Sequence, residues 1–397
     1  MRNLSVCCFL TTVLTAAALD VSAAESITEA LVGGKAYGNF NLRYESVDQN
    51  NDLEDASALT LRSRLGYETA EFQSFSALIE FEDSRAGIDD YDDTLGSGTE
   101  YSVIADPEST ELDQGYLQFK GGGTQSRFGR QVITYDNQRF VGHVGWRQDR
   151  QTFDAFTVGH KTANDLELQY SFIDKRNRIF ADEKDIDAED HLVNIGYSTA
   201  AGRLTGYAYL LEEDDDAGPG IDTYGIRFNG SAEIGSNKAL YTAEFATQER
   251  STSDSPDNDA DYLNLEAGLV WGDITAKIGY EVLGSDSGGY GFATPLATLH
   301  KFNGWADQFL STPDEGLTDL SLSVSGKLGG GKWAVIYHDF EADESSAEVD
   351  DLGDEIDLSY LRSFGKHYSA GIKFAAYSAG DAKVDTDKFW LWFSVNF

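Results

Sequence analysis

The chain has 397 residues, of which 68 are acidic and 30 basic, a formal net charge of -38 at pH 7. That charge excludes nucleic-acid binding, which needs a basic surface, and an aromatic content of 12% excludes a disordered acidic tail. The only two cysteines are Cys7 and Cys8, so the chain beyond them has no disulfide, thiolate-ligated zinc or cysteine nucleophile.

The N-terminus carries one charge, Arg2, ahead of an uncharged run from Leu4 to Leu19 and the small residues Ser22-Ala23-Ala24. A short positive start, an apolar core and an A-x-A-like end make residues 1–24 an export signal. The run is too short to cross a bilayer as a helix, which takes about 20 apolar residues. Leu4-Ser5-Val6-Cys7 stands ahead of most of the apolar core and is not a lipobox. Removal of Arg2 and Asp20 leaves the net charge unchanged. Residues 25–397 show no linker or composition shift and read as one domain. No later segment approaches 18 continuous apolar residues, so a membrane would be crossed by strands in a closed barrel.

Period-two alternation dominates from Ala36 onward. Ala36, Gly38, Phe40, Leu42 and Tyr44 share a face, against Asn39, Asn41, Arg43 and Glu45. Leu59, Leu61, Leu65 and Tyr67 oppose Thr60, Arg62, Arg64 and Glu68; Phe75, Ala77, Ile79 and Phe81 oppose Glu80 and Glu82. The pattern returns from Leu166 to Phe172, Tyr224 to Phe228, Tyr241 to Phe245, Leu263 to Trp271 and Ile274 to Val282. A barrel with a wet lumen needs apolar side chains on only one face of each strand, in keeping with a mean hydropathy of -0.37.

The connections alternate in length. Short ones fall near Ala70-Phe72, Gly121-Gly123, Thr162-Asp165, Ala200-Gly202, Ile234-Lys238, Trp271-Asp273, Gly329-Gly331 and Phe364-His367. Long ones fall at Asp48-Ala56, Ser84-Thr110, Thr134-Gln151, Lys175-Glu189, Glu212-Asp222, Arg250-Asp259, Gly284-Thr318, Ala342-Gly353 and Ala379-Thr386. Short periplasmic turns and long extracellular loops are the asymmetry of outer-membrane barrels. Eight short and nine long connections give 18 antiparallel strands with both termini periplasmic; 16 is the competing count. Phe389, Leu391, Phe393, Val395 and Phe397 then alternate to the last residue, as in the terminal strand of such barrels. A large extracellular sandwich or solenoid would show shorter strands or a fixed repeat, and neither is visible.

Few residues invite catalysis. The six histidines, His143, His160, His191, His300, His338 and His367, sit in neither G-x-S-x-G nor H-E-x-x-H contexts and read as solvated or hydrogen-bonded side chains. The acidic runs Glu212-Asp216 and Asp257-Asp261 lack the glycine and distal glutamate of a calcium loop and read as solvated surface. In a barrel, Arg43, Arg62, Arg64, Arg227 and Lys277 point inward, together with Glu45, Glu68, Glu80, Glu82, Glu167, Glu244, Glu266 and Glu281. Such rings set ion preference, or they cancel as a salt-bridge ladder.

Two long loops differ from the acidic ones. The first, Tyr135 to Gln148 with Arg150 just beyond, carries Arg139, Arg147 and aromatics. In the second, Thr294 is a good N-cap and Pro295 a good first helical residue, and Leu296, Leu299, Phe302, Trp305 and Phe309 recur at helical spacing until Ser311-Thr312-Pro313. An apolar-sided helix does not remain in water, so both loops are expected to fold into the barrel mouth as a constriction. A helix resting on the rim is the plainer alternative.

Several stretches carry a family likeness: Leu61-Arg62-Ser63-Arg64-Leu65-Gly66-Tyr67, Gly129-Arg130-Gln131, Arg139-Phe140-Val141-Gly142 with Gly145-Trp146-Arg147-Gln148, and Gln151-Thr152-Phe153-Asp154-Ala155. With Thr294-Pro295-Leu296 and Trp305-Ala306-Asp307, they make the chain resemble the alginate-export family of outer-membrane porins over most of its length. The resemblance implies an 18-stranded monomeric barrel with an arginine-rich conduit for anionic polysaccharide. This chain is shorter than the exporter proper, and its inward face holds glutamate as well as arginine.

The expectation is therefore an all-β outer-membrane channel of a Gram-negative bacterium, set among membrane lipid and lipopolysaccharide, passing a hydrophilic and anionic saccharide or organic solute. No catalytic residue, metal or cofactor is expected. Arg43, Arg62, Arg64, Arg130, Arg139 and Arg147 are the candidates for anion contact, with Arg227 and Lys277 lining the pore, because guanidinium matches carboxylate geometry. Thr294, Pro295, Leu299, Phe302, Trp305 and Phe309 form the candidate gate. A barrel enzyme acting on lipid or surface polymer, seated near His143 or His300, and a structural or adhesion barrel are the alternatives.

Overall fold

The computed structural model describes residues 24–214, 218–252 and 255–397; the expected export signal, its last residue apart, lies outside them. Eighteen strands follow a six-residue helix, α1 (Ile27–Val32). They are β1 (Lys35–Gln49), β2 (Ala56–Glu68), β3 (Phe75–Asp90), β4 (Ser109–Gly121), β5 (Thr124–Gln131), β6 (Thr152–Lys161), β7 (Leu166–Asn177), β8 (Ile186–Thr199) and β9 (Gly202–Leu211). The second half holds β10 (Gly220–Ile234), β11 (Asn237–Thr252), β12 (Ser255–Trp271), β13 (Ile274–Leu283), β14 (Leu317–Leu328), β15 (Gly331–Glu341), β16 (Asp351–Phe364), β17 (Tyr368–Ser378) and β18 (Thr386–Asn396).

Each strand pairs antiparallel with its sequence neighbours, and β18 pairs with β1, so the sheet closes on itself. Closure leaves no unpaired edge, which is what lipid demands of a spanning sheet. Eighteen strands is the count implied by the alternating connections, and the eight short turns fall where the sequence places them. One loop does not. In the acidic stretch Arg250-Asp259 the described residues are strand rather than loop: β11 runs to Thr252 and β12 starts at Ser255. Its alternation explains this, since the inward Gln248 and Ala260 are buried and register partners, so the ladder continues beneath the acidic side chains.

The two faces of the wall divide as the alternation dictates. Leu42, Leu61, Leu65, Phe81, Leu117 and Phe128 stand exposed on the outer face, while their neighbours Arg43, Thr60, Arg62, Arg64, Glu80 and Glu82 are buried inside. The seam is closed by Phe40↔Val395, Leu42↔Phe393 and Tyr44↔Leu391, and the Phe397 ring stacks on Phe40 at 6.0 Å. Helix α1, which the alternation gave no sign of, is capped by Ser26, whose hydroxyl accepts from Glu29 N at 3.2 Å. It docks beneath the β2–β3 turn, where Ala70 N donates to Ala30 O and Tyr67 OH to Leu31 O. The main apolar cluster lies inside the barrel, where loop residues such as Val141, Phe292, Leu296 and Phe309 meet inward wall residues such as Tyr262 and Phe340.

Candidate functional site: the loop-filled lumen

Three long connections fold inward. The loop 132–151 between β5 and β6 and the loop 284–316 between β13 and β14 are knitted together by backbone. Gly142 N donates to Leu296 O at 2.7 Å and Thr298 N to Gln138 O at 3.0 Å. Side chains reinforce this: the Thr298 hydroxyl donates to Gln138 Oε1 at 2.7 Å, and Gln151 Nε2 donates to both Gly142 O and Leu296 O. A Cβ on Gly142 would stand 2.2 Å from Thr298 Oγ1, so only glycine permits this approach. The loop 91–108 between β3 and β4 delivers Asp106, whose Oδ1 accepts from Gln148 N at 2.8 Å.

The expected helix from Thr294 does not form. Only one 3-10 turn, Leu299–Lys301, appears, and Asn303 and Asp307 take positive φ of 54° and 61°. Leu296 O and Thr298 N, which a helix would pair internally, are bonded instead to Gly142 N and Gln138 O of the facing loop. The apolar side chains still leave water, by packing singly against the wall: the Phe309 ring meets Phe340 at 4.7 Å and Tyr377 at 5.9 Å. The inward folding of both loops is present without the helix.

Arg147 joins the three loops to the wall. Its Nη1 pairs with Glu45 of β1 at 3.2 Å and approaches Asp106 at 3.6 Å, and its Nη2 pairs with Asp307 at 3.1 Å. Asp307 also accepts from Lys388 Nζ of β18 at 3.0 Å. Burial would raise the Asp307 carboxyl, but the hydrogen bond from His300 and the cations Lys388 and Arg147 hold it well below the usual carboxylate range. Arg139 forms a second junction: it is 2% exposed, pairs with Glu281 of β13 at 2.8 Å, and donates to Asn303 Oδ1 at 3.0 Å.

Beside Arg147 lies a tryptophan cage around one lysine. Lys373 Nζ of β17 stands 3.7 Å from the Trp305 ring centre and 4.4 Å from that of Trp146. It also donates to His300 Nε2 at 2.7 Å. His300 Nδ1 then donates to Asp307 Oδ1 at 2.6 Å, so the ring is neutral with its proton on Nδ1. Burial drives its pKa down to about 3, helped by Lys373 and opposed by Asp307. His143 Nδ1 bonds Gln138 Oε1 at 3.0 Å, and burial with the nearby Arg150 and Arg64 lowers it to about 4.

The sequence-predicted residues divide by partner. Arg43 pairs with Asp106, and Arg64 with Glu82 and Asp113. Arg130 binds Asp154 through two nitrogens at 2.8 and 3.0 Å, Arg227 pairs with Glu244 at 2.6 Å, and Lys277 with Glu266 at 2.9 Å. Arg62 has no ion pair among the described residues, but it is covered by the carbonyl of Arg147 and by Asn39. In the second loop, the Thr294 hydroxyl accepts from Arg139 Nη1 at 3.3 Å, Pro295 directly precedes the Leu296 that meets Val141, and Leu299 opens the 3-10 turn. Phe302 lies under Arg139 at 4.8 Å, while Trp305 and Phe309 face Lys373 and Phe340. Sequence reasoning missed Asp106, Lys373 and Lys388. For Asp106 a signal existed: Tyr101, Val103 and Ile104 interrupt an otherwise acidic loop.

The model of the family described as "Alginate export" matches residues 35–278 of the 397. Among solved structures, Acinetobacter baumannii OccAB4 superposes with a TM-score of 0.73 at 12% identity, over 92% of this chain and 98% of its own. Pseudomonas aeruginosa OpdK, solved with vanillate, superposes with a TM-score of 0.71 at 13% identity, over 91% of this chain and 98% of its own. A. baumannii OccAB3 gives 0.72 at 13% identity, over 92% and 100%. No curated protein matches the sequence. The closed 18-stranded wall repeats the architecture of these porins; with its family model matched over more than half its length, the chain belongs to the alginate export family, outer-membrane channels of Gram-negative bacteria.

Proposed function

We propose that the protein passes a hydrophilic organic anion, a saccharide acid or a similar solute, passively through a lumen narrowed by the loops 132–151 and 284–316. The observation that carries this reading is the junction at Arg147, where three loops and the wall meet through Glu45, Asp106 and Asp307. Loops tied by buried ion pairs form a standing constriction, since removing one partner would strand a buried charge. Thr294, Pro295, Leu299, Phe302, Trp305 and Phe309 belong to that constriction. Arg43, Arg62, Arg64, Arg130, Arg139 and Arg147, with Arg227 and Lys277, supply the positive charge of the interior, and the paired members act mainly by fixing its shape.

The barrel works as a monomer in lipid and lipopolysaccharide, its short turns toward the periplasm, without metal or cofactor. The enzyme alternative loses its His300 seat: both ring nitrogens of His300 are committed to Lys373 and Asp307, which leaves it unable to take a proton from a substrate. The test is the reversal potential of the refolded protein in a planar bilayer under a salt gradient, with an oligo-uronate added. Anion preference and block by the oligo-uronate support the reading; cation preference with no block removes the anionic solute from it.

A further inference from the structure

Helix α1 is six residues long, and three of them are large apolar side chains left in the open: Ile27, Leu31 and Val32 are 64%, 57% and 77% exposed. Ile27 and Leu31 lie one turn apart on one face, with Val32 next to Leu31. Ala30 is the buried residue, on the side that meets the barrel. The acidic side chain of Glu29 turns to the N-terminal end, where it accepts from Glu25 N at 2.8 Å. Apolar side chains scattered singly are ordinary on a water-facing surface, but three gathered on one short helix mark a contact surface.

The attachment of the helix identifies that contact. Tyr67 stands in the outward row of β2 with Leu61 and Leu65. Its hydroxyl accepts from Gly34 N at 3.0 Å and donates to Leu31 O, so the C-terminal end of α1 is pinned to the lipid-facing side of the wall. Ala70 N donates to Ala30 O at 3.0 Å and Ala24 N to Glu71 O at 2.8 Å, which ties the rest of the segment to the short turn between β2 and β3. Beside that turn the outer face ends in aromatic rings: Phe75 is exposed, and its ring meets that of Phe119 at 5.2 Å. Outward rings near the rim of a barrel mark the level where hydrocarbon gives way to head groups. The apolar face of α1 continues the lipid-facing wall at that level.

We infer that α1 is an interfacial foot, with Ile27, Leu31 and Val32 seated among the glycerol backbones and upper acyl chains of the phospholipid leaflet at the short-turn end of the barrel. A helix with apolar side chains on one side and its charge at one end suits the plane of the interface rather than a span. Glu25 and Glu29 are the only charged side chains from residue 25 to residue 34, so apolar burial, not attraction to anionic head groups, supplies the contact. A six-residue helix is too short to persist by itself, and lipid that covers its apolar side also keeps it folded.

The test is electron paramagnetic resonance of nitroxide labels on single cysteines. The chain used is residues 24–397, which has no cysteine of its own and lacks the apolar run Leu4 to Leu19 that could carry α1 into lipid. It is refolded into dioleoylphosphatidylcholine vesicles and shown to be folded by heat-modifiable migration. Leu31→Cys and Val32→Cys report on the helix, Phe75→Cys on the lipid-facing wall and Glu71→Cys on water at the turn. Dissolved oxygen partitions into hydrocarbon, and a nickel chelate stays in water. The expected result is a loss of chelate access at Leu31→Cys and Val32→Cys matching that at Phe75→Cys, with oxygen access retained. Chelate access equal to that at Glu71→Cys overturns the inference, because the face is then in water. Protection from both reagents also overturns it, because protein rather than lipid then covers the face; broadening between labels would identify that protein as a second copy of the chain.

Discussion

Arg147 and Asp307 meet at 3.1 Å in the barrel interior, although 160 residues separate them in sequence. Each belongs to a different inward loop, and neither loop has regular structure of its own beyond one 3-10 turn. The ion pair therefore does the work that a helix or sheet does elsewhere: it fixes where irregular chain sits.

Arg147→Met should destabilise the loops strongly, by about 3–5 kcal/mol, because Glu45, Asp106 and Asp307 would remain buried without their shared cation. Asp307→Asn should cost less than Arg147→Met, and the double variant should fall short of the sum, since both changes break one contact. Urea titration followed by tryptophan fluorescence reads this directly, because Trp146 and Trp305 lie at the junction. Additive losses would show that the pair does not couple the loops.

Acid should loosen the same loops through His143. Its pKa in the folded protein, about 4, lies below its ordinary value of 6.5 because burial and nearby arginines disfavour the charged ring. A released loop would take up the proton first, so this contribution is fully present above about pH 6.5 and is lost as pH falls toward 4. His300, at about 3, acts in the same sense. Asp149 acts oppositely: burial, Glu111 and Glu82 raise its carboxyl well above the usual range, so acid favours its folded form. The His143 share is isolated by comparison with His143→Gln. The stability difference between unaltered protein and variant should shrink or invert between pH 7.5 and pH 5, measured by thermal denaturation at each pH. A difference constant across that range would contradict the assignment.

Closure of the barrel should depend on its last residue. The Phe397 ring fills the space over Gly38, where a Cβ would stand 2.4 Å from it, and the two residues exchange backbone hydrogen bonds at 3.1 Å. Phe397→Ala should lower the yield of folded barrel, seen as heat-modifiable migration on gels. It should also cost about 1 kcal/mol from the Phe40 stack in addition to lost apolar burial. Unchanged yield would mean that β1 and β18 close without it.

The wall was legible because its physics is local. Phe389, Leu391 and Phe393 must face lipid and their neighbours must not, so a period of two declares strand and face together. Turn lengths added the count. The interior was less legible because its order is non-local. Nothing near Thr294 reveals that Gln138 O and Gly142 N will take Thr298 N and Leu296 O, so good capping signals were overridden by a partner loop. Inward direction was readable for Arg43 and Arg64, but not that Asp106 and Glu82 would hold them.

On the proposed function, the loops 132–151 and 284–316 narrow a conducting lumen. Single-channel conductance in a planar bilayer, comparing the unaltered protein with a variant in which residues 294–310 are replaced by a short glycine-serine bridge, tests it most directly. A stable unaltered channel whose conductance rises severalfold in the variant is the predicted result. Equal conductance in the two, with the variant shown to be folded, would contradict the claim.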